Sequence, residues 1–333
     1  MRKTIAAIYT NGNHRVILCT DGTKIKETGR YEQRADDKRI LWVASDENYM
    51  THDFPENFDI KITDYCDAGC PYCHENSTIH GKHGDLKQLE PMLNTLQAGT
   101  EVAIGGGNAL AHPQLEWFLT KLKELHIFAN LTINQKHVKQ YQDDIRKYIA
   151  NNLVNGIGIS LTDSSNTEDF EIIKTFNSNV VIHVIAGIVT EKDFEVLRDK
   201  KVLILGYKIL RRGSMYLNSN FAEVNHNIDM LRNVWLKQLK DDYNCKFSFD
   251  CLGLEQLTPQ VSLDVSDEVF SHIFQGEDTD VLDNQGRIKC STMYIDAVNM
   301  QVARMSTAAL DKRFDFTGNE NIRDLFKLSI QAW

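Results

Sequence analysis

The stretch "FDIKITDYCDAGCPYCHEN", residues 58 to 76, decides how this chain is read. It opens as a short β-rich run and turns at once into a loop holding Cys66, Cys70 and Cys73. These are three of the chain's seven cysteines, with three residues and then two between them. Gly69 and Pro71 make the loop tight and irregular, as a wrap around a metal centre requires. Thiolates suit zinc or an iron–sulfur cluster. Three thiolates on a [4Fe–4S] cube leave one iron without a protein ligand, open to chelate a small molecule. A structural zinc site is the alternative, with His74, His80 or His83 as fourth ligand. A chance grouping of thiols is a third possibility.

Outward from this stretch, β-rich runs alternate with amphipathic ones. The runs are 58–65, 101–107, 128–135, 156–162, 179–187 and 201–210. Between them lie helical patterns such as "HPQLEWFLTKLKELH" (112–126), where Leu115, Phe118, Leu119, Leu122 and Leu125 share a face. Pro113 sits where a first helical turn tolerates it. A longer helix is expected over 222–242. Six strand–helix units in succession predict a parallel sheet with right-handed crossovers, curled into an open (β/α)6 barrel. Chemistry in such a barrel sits at the C-terminal ends of the strands, where the cysteine loop falls.

The expected fold class is therefore α/β: a partial (β/α)6 TIM-like barrel over 55–245, between an N-terminal β-meander over 1–50 and a small α+β C-terminal cap over 246–333. The meander is read from apolar runs joined at Asn11-Gly12-Asn13 and Asp21-Gly22, both strong hairpin signals, with a further strand at 39–45. In the cap, "KFSFDCLGLEQL" reads as a strand and a turn. Residues 291–306 read as a hairpin turning near Val298-Asn299, and 321–333 as a terminal helix.

Bulk properties narrow the classes further. The chain has 333 residues, 42% apolar and 25% charged, as expected of a globular protein. Its longest apolar runs are too short to span a bilayer, so no membrane partner is expected. No signal or transit peptide is read at the N-terminus. Net charge is −9 with no lysine or arginine block, which argues against nucleic acid as the main partner. An odd cysteine count, three clustered and Cys19, Cys245, Cys251 and Cys290 scattered, suits a reducing cytoplasm rather than a disulfide framework.

With its C-x3-C-x2-C loop after the first barrel strand and Tyr72 before the last cysteine, the chain resembles the radical S-adenosylmethionine (SAM) superfamily. The resemblance implies a [4Fe–4S] cluster on Cys66, Cys70 and Cys73, with SAM on the open iron. An electron, from a flavodoxin- or ferredoxin-type donor, then cleaves SAM to methionine and a 5′-deoxyadenosyl radical that abstracts hydrogen from a substrate. The resemblance also implies cofactor contacts. Gly105, Gly106 and Gly107 stand where a Gly-Gly-Glu-like stretch meets the SAM amino group, with Asn108 in place of the usual acid. Ser160 and Thr162 end the fourth strand, where polar residues meet SAM. Gly187 with Ile185 matches part of an adenine-side pattern, although His183 and Thr190 depart from it. Gly206 and Tyr207 stand where backbone meets adenine.

Several polar residues are expected to face the remaining space: Asn134, Gln135 and Lys136, then Asp250 and Glu255, and above all Lys208, Arg211 and Arg212. The basic set suits an anionic group, which arginine grips through paired hydrogen bonds. A small polar or nucleoside-like substrate is expected on that basis, with modification of a peptide or protein as the rival. A non-catalytic iron–sulfur or zinc protein is the alternative outside the enzymes. A second cluster is not expected: from Cys290, Asn299 stands where the family's glycine falls, and Arg304 or Met305 where its cysteine falls. Tyr294 and Asp296 are placed to close over a substrate.

Overall fold

A computed structural model describes residues 4–20, 22–34, 38–47, 49–266, 269–270 and 282–333. Asp21 of the expected second turn lies outside the described residues, as do 1–3 and, in the C-terminal segment, 267–268 and 271–281.

Four strands, β1 (Ile5–Asn11), β2 (His14–Cys19), β3 (Lys24–Gln33) and β4 (Ile40–Ala44), form an antiparallel sheet in chain order. Gly12 makes the first turn at φ +55° against Thr51, where a side chain would strike the Thr51 carbonyl at 1.9 Å.

The barrel strands follow: β5 (Asn57–Thr63), β6 (Glu101–Gly106), β7 (Phe128–Asn134), β8 (Gly156–Ser160), β9 (Asn179–Ile185) and β10 (Lys201–Leu205). Each pairs in parallel with the next. Alternate residues explain why. Phe58, Ile60, Ile62, Val102, Ile104, Leu131, Ile157, Ile182 and Ile204 are all buried and point to the helix layer. The covering helix Leu115–Glu124 buries Leu115, Phe118, Leu119 and Leu122, the face its sequence predicts. Each such side chain contributes about 1.5–3 kcal/mol on burial.

The sheet continues past residue 245. Here β11 (Lys246–Phe249) lies parallel beside β10, while β12 (Thr292–Asp296) lies parallel to β5 at the other side. Two more antiparallel strands, β13 (Gln301–Ala303) and β14 (Phe314–Asp315), complete one ten-stranded sheet. The sheet is open, with β11 and β14 at its two ends.

Two local expectations differ from what is observed. Residues 251–257 form a helix rather than a turn, because Asp250 Oδ1 accepts the Gly253 amide at 2.7 Å and caps it. The helix expected over 222–242 is interrupted: Phe221–Met230 passes through a π turn at Leu231–Trp235 into Leu236–Asp241. The wider turn shifts the following face, so that Leu231, Trp235, Leu236 and Leu239 all bury. Among the described residues no helix is long and apolar enough to cross a membrane.

Candidate functional site

The cysteine loop leaves β5 at the C-terminal end of the sheet, and groups on other strand ends clamp it. Asp67 accepts hydrogen bonds from Asn108, after β6, at 3.2 Å and from His137, after β7, at 2.8 Å. Lys136 donates to the Ala68 carbonyl at 2.8 Å, and Asn134 Nδ2 to Cys70 Sγ at 3.4 Å. Beyond β10, Arg211 donates to the His74 carbonyl at 2.8 Å and Arg212 to the Ser77 carbonyl at 2.6 Å. A loop too irregular to satisfy its own backbone is thus held by side chains that tertiary structure delivers.

The glycine stretch packs under this loop. The amides of Gly107 and Asn108 donate to the Thr63 and Tyr65 carbonyls at 2.7 and 2.6 Å. A side chain on Gly107 would meet the Tyr65 oxygen at 2.1 Å, and one on Gly106, at φ +112°, the Thr63 oxygen at 2.5 Å. Gly105 differs: an added Cβ would meet only Thr132, at an ordinary 3.8 Å. Two of the three glycines are therefore needed for chain packing alone.

Cys66, Cys70 and Cys73 converge with Gly107, Ser160 and Arg212 on a pocket of about 100 Å³. That is the space of about three liquid waters, suited to a compact inorganic group rather than a nucleoside. Burial pushes the Cys66 and Cys70 thiols up, although Lys136, Asn134 and Arg212 pull Cys70 back down. Such thiols keep their protons until a metal displaces them. Arg212 Nε is buried and finds no hydrogen-bond partner among the described residues, an unsatisfied cationic donor suited to an anionic occupant.

Thiolates suit either zinc or an iron–sulfur cluster. Zinc bonds to sulfur, about 2.3 Å, draw thiolates to within about 4 Å of one another. Among the described residues, the His/Cys/Asp/Glu groupings compact to within 4.8 Å are His14–His52–Glu56 and Cys66–Asp67–His137; the three cysteines together are not one of them. Two of the three proposed fourth ligands make contacts elsewhere: His83 with Thr63 at 2.8 Å, His74 with Glu75 at 3.4 Å.

Beside the loop lies a buried ion network that sequence reasoning missed. Lys61, on β5, is 2.7 Å from Asp296, 3.1 Å from Asp64 and 3.6 Å from Glu75. Burial would lower its ammonium, but Asp296, Glu75 and Asp64 outweigh this and hold it above its usual range. Burial would raise Glu75, yet His74, Lys61 and Arg211 bring it down to about 2. Asp296 also accepts the amides of Val298 and Asn299, both at 3.0 Å, so it anchors the β12 end. The Tyr294 ring is covered by the Arg313 guanidinium at 5.3 Å.

The interior face of the sheet carries two more titratable groups. Asp59 lies on the inward phase of β5 and stays accessible from that space; desolvation raises its carboxyl, Lys208 lowers it and Asp250 raises it. His183 is lowered to about 4 by burial and lies over Gly158, where any side chain would strike its ring at 2.2 Å. The signal for Asp59 and Lys61 was present: polar residues alternating with isoleucines in a barrel strand point inward. A cleft of about 1400 Å³ reaches from the N-terminal strand ends to Asn130, Thr132 and His183, and Thr132 borders the thiol pocket as well.

Other residues singled out from the sequence sit apart from the pocket. Asn108 is buried beneath the loop. Tyr72 packs edge-on to Tyr216 at 5.7 Å. Gly187 faces Val224 of the helix behind it, 2.8 Å from where its Cβ would be. The Gly206 amide donates to Asp250 at 2.8 Å, and Gln256 takes both the amide and the carbonyl of Tyr207, at 2.8 and 3.0 Å. Lys208 donates to Ser306 at 3.2 Å. Thr162 reaches Asn134, and Gln135 is buried against Asp163 and Asp169. Cys19, Cys245 and Cys290 are buried and Cys251 is exposed.

No family model matches this chain, and no curated protein does. Solved structures do. The chain is similar to Streptococcus suis SuiB, solved with precursor peptide SuiA, at 14% identity over 83% of this chain, with a TM-score of 0.55. It spans 65% of the SuiB chain. It is also similar to anSMEcpe with bound AdoMet, at 14% identity over 81% of this chain and 80% of that one, with a TM-score of 0.53. SuiB has also been solved with S-adenosylmethionine, and this chain has the fold of both: a large parallel sheet with helices, in a partial rather than closed barrel.

Proposed function

We propose, from a fold shared with radical SAM enzymes, that this chain is one itself. Cys66, Cys70 and Cys73 would hold a [4Fe–4S] cluster, whose iron without a protein ligand would take SAM. The reading is carried by one observation: three thiols line a single pocket at the C-terminal ends of parallel strands in a fold shared with structures solved with SAM. With both cofactors bound, an electron from a flavodoxin- or ferredoxin-type donor cleaves SAM to methionine and a 5′-deoxyadenosyl radical, which takes hydrogen from the substrate. The chain's own residues position and shield this chemistry. Arg212 neutralises the thiolate-bound charge, Asn134 tunes Cys70 by hydrogen bonding, and Asp67, His137 and Lys136 keep the loop rigid. Gly105 leaves room on the pocket side for a ligand's backbone contact.

The substrate is read as a small polar molecule. The interior cleft offers Asn130, Thr132 and His183 as hydrogen-bonding groups toward the thiol end. Arg211 and Arg212 bind the cysteine loop, so they belong with the cofactor rather than with an anionic substrate. A second reading, a peptide substrate, is favoured by the SuiA and Kp18Cys peptides in the neighbouring structures. The meander lies at the opposite end of the strands from the thiols, so a peptide docked there would have to thread the cleft.

Anaerobic reconstitution tests the core claim. About four irons per chain and 5′-deoxyadenosine on reduction with SAM are expected; zinc on the thiols with no SAM cleavage would sink it. Extract fractions then separate the substrates: stimulation of cleavage by the dialysable fraction supports the small molecule, and by the retained fraction the peptide.

A further inference from the structure

The N-terminal end of the sheet holds a second grouping of ligand-type side chains. His14 opens β2, His52 lies in the link from meander to barrel, and Glu56 immediately precedes β5. Their ligand atoms all lie within 4.8 Å of one another. His14 Nε2 is 2.5 Å from Glu56 Oε1, and His52 Nε2 is 3.3 Å from the same oxygen. Two imidazoles from different parts of the chain thus converge on one carboxylate oxygen. The three side chains are 0, 4 and 0% exposed.

The polar groups here are not satisfied by protein alone. Nδ1 of His52 and Nδ1 of His14 are buried without a hydrogen-bond partner among the described residues, while the Nε2 atoms of both rings face the one Glu56 oxygen. A neutral imidazole offers one donor and one acceptor. A buried ring nitrogen left unused is uncommon in folded proteins, and an unseen ion is among the accepted explanations. The Tyr9 hydroxyl, raised by burial and then by the charges of Glu56 and Glu101, is likewise unpartnered.

The surrounding charges fix which Glu56 oxygen faces the rings. Lys26 Nζ holds the other Glu56 oxygen at 2.8 Å, leaving Oε1 turned toward both rings. Lys24 is 3.9 Å from that same Oε2 and pairs closely with Glu101 of β6. Two lysines and two carboxylates cancel, so a cation brings the net charge of the site. That disfavours calcium and magnesium, which ask for many oxygen ligands. Two imidazoles and one carboxylate are instead a donor set for zinc and its transition-metal neighbours.

We propose that His14, His52 and Glu56 bind a divalent transition-metal ion, zinc by ligand type, which pins the N-terminal meander to the barrel. The site is sealed from solvent and lies at the far end of the strands from the thiols, so its role is structural. The ion joins β2 to the segment that leads into β5, the strand that delivers the cysteine loop.

The test uses cluster-loaded protein, whose thiols are already occupied by iron. It is exposed to zinc, dialysed against metal-free buffer and analysed for both metals. About one zinc per chain should remain beside the iron; His52→Gln and His14→Gln should keep the iron and lose the zinc. X-ray absorption at the zinc edge of the wild type should report nitrogen and oxygen neighbours with no sulfur near about 2.3 Å, a readout that needs no variant to fold. If the thiols take up no iron, the same zinc measurement on the C66A/C70A/C73A variant keeps this proposal separate from the cluster. A wild type that retains no zinc, sulfur in the zinc shell, or iron-loaded variants with undiminished zinc would each overturn it.

Discussion

The two ends of the parallel sheet gather ligand side chains in opposite ways. At the C-terminal ends, three thiols come from one short loop, and the fold's task is to clamp that loop. Asn108, Lys136, His137, Arg211 and Arg212 do so from three strand ends. At the N-terminal ends, His14, His52 and Glu56 are brought together by the docking of one sheet on another, and the fold's task is to assemble them. Ligands close in sequence survive loss of distant contacts but depend on local backbone. Ligands close only in space depend on docking and tolerate local change.

The largest effect expected follows from the local end. Cys66→Ala, Cys70→Ala or Cys73→Ala should each abolish the iron chromophore and 5′-deoxyadenosine formation, while the thermal midpoint of cluster-free protein stays within a few degrees of wild type. A collapse of that midpoint would mean that the two ends are not independent. Next comes the backbone under the loop. Gly107→Ala drives a methyl into the Tyr65 carbonyl at 2.1 Å and should cost about 3 kcal/mol with loss of iron uptake. Gly105→Ala meets only ordinary contact and should keep stability and iron, so any fall in its SAM cleavage is a ligand effect.

A pH dependence also belongs to the thiol end. His112 Nε2–H donates to the Gly84 carbonyl at 2.9 Å and its Nδ1 accepts the Gln114 amide at 3.0 Å. Burial lowers its pKa from 6.5 to about 4. The folded state therefore favours neutral imidazole, and its contribution is complete above pH 6.5 and lost as pH falls toward 4. Urea unfolding of wild type against His112→Gln should show about 2 kcal/mol of such loss in the wild type only. The smallest pair sharpens the clamp itself. Arg212→Met removes a half-buried donor from the Ser77 carbonyl and should cost about 1.5 kcal/mol and weaken cluster retention. The more exposed Arg211→Met should cost under about 1 kcal/mol. Iron content after dialysis separates the two; equal effects would make Arg212 an ordinary surface clamp.

What could be read without coordinates follows the same division. Strand starts at Asn57, Glu101, Phe128, Gly156, Asn179 and Lys201 lie within a residue of the β-rich runs, because buried parallel strands write themselves as apolar stretches. Cys66, Cys70, Cys73, Ser160 and Arg212 do share a pocket. The helix at Cys251–Leu257 was obscured by Gly253, a poor helix former retained because a side chain there would meet the Ile204 carbonyl at 2.7 Å. The joining of β11 and β12 to opposite sides of the barrel strands had no signal in their own residues.

Sequence alone determined the parallel α/β class and the thiol loop, because apolar periodicity and ligand spacing are properties of neighbouring residues. Only the tertiary structure decided which groups surround that loop, that Asp59, Lys61 and His183 face inward, and that His14 meets His52 and Glu56. Those contacts are set by strand order and by the docking of the meander, which depend on pairings between distant segments and leave no pattern in either partner by itself.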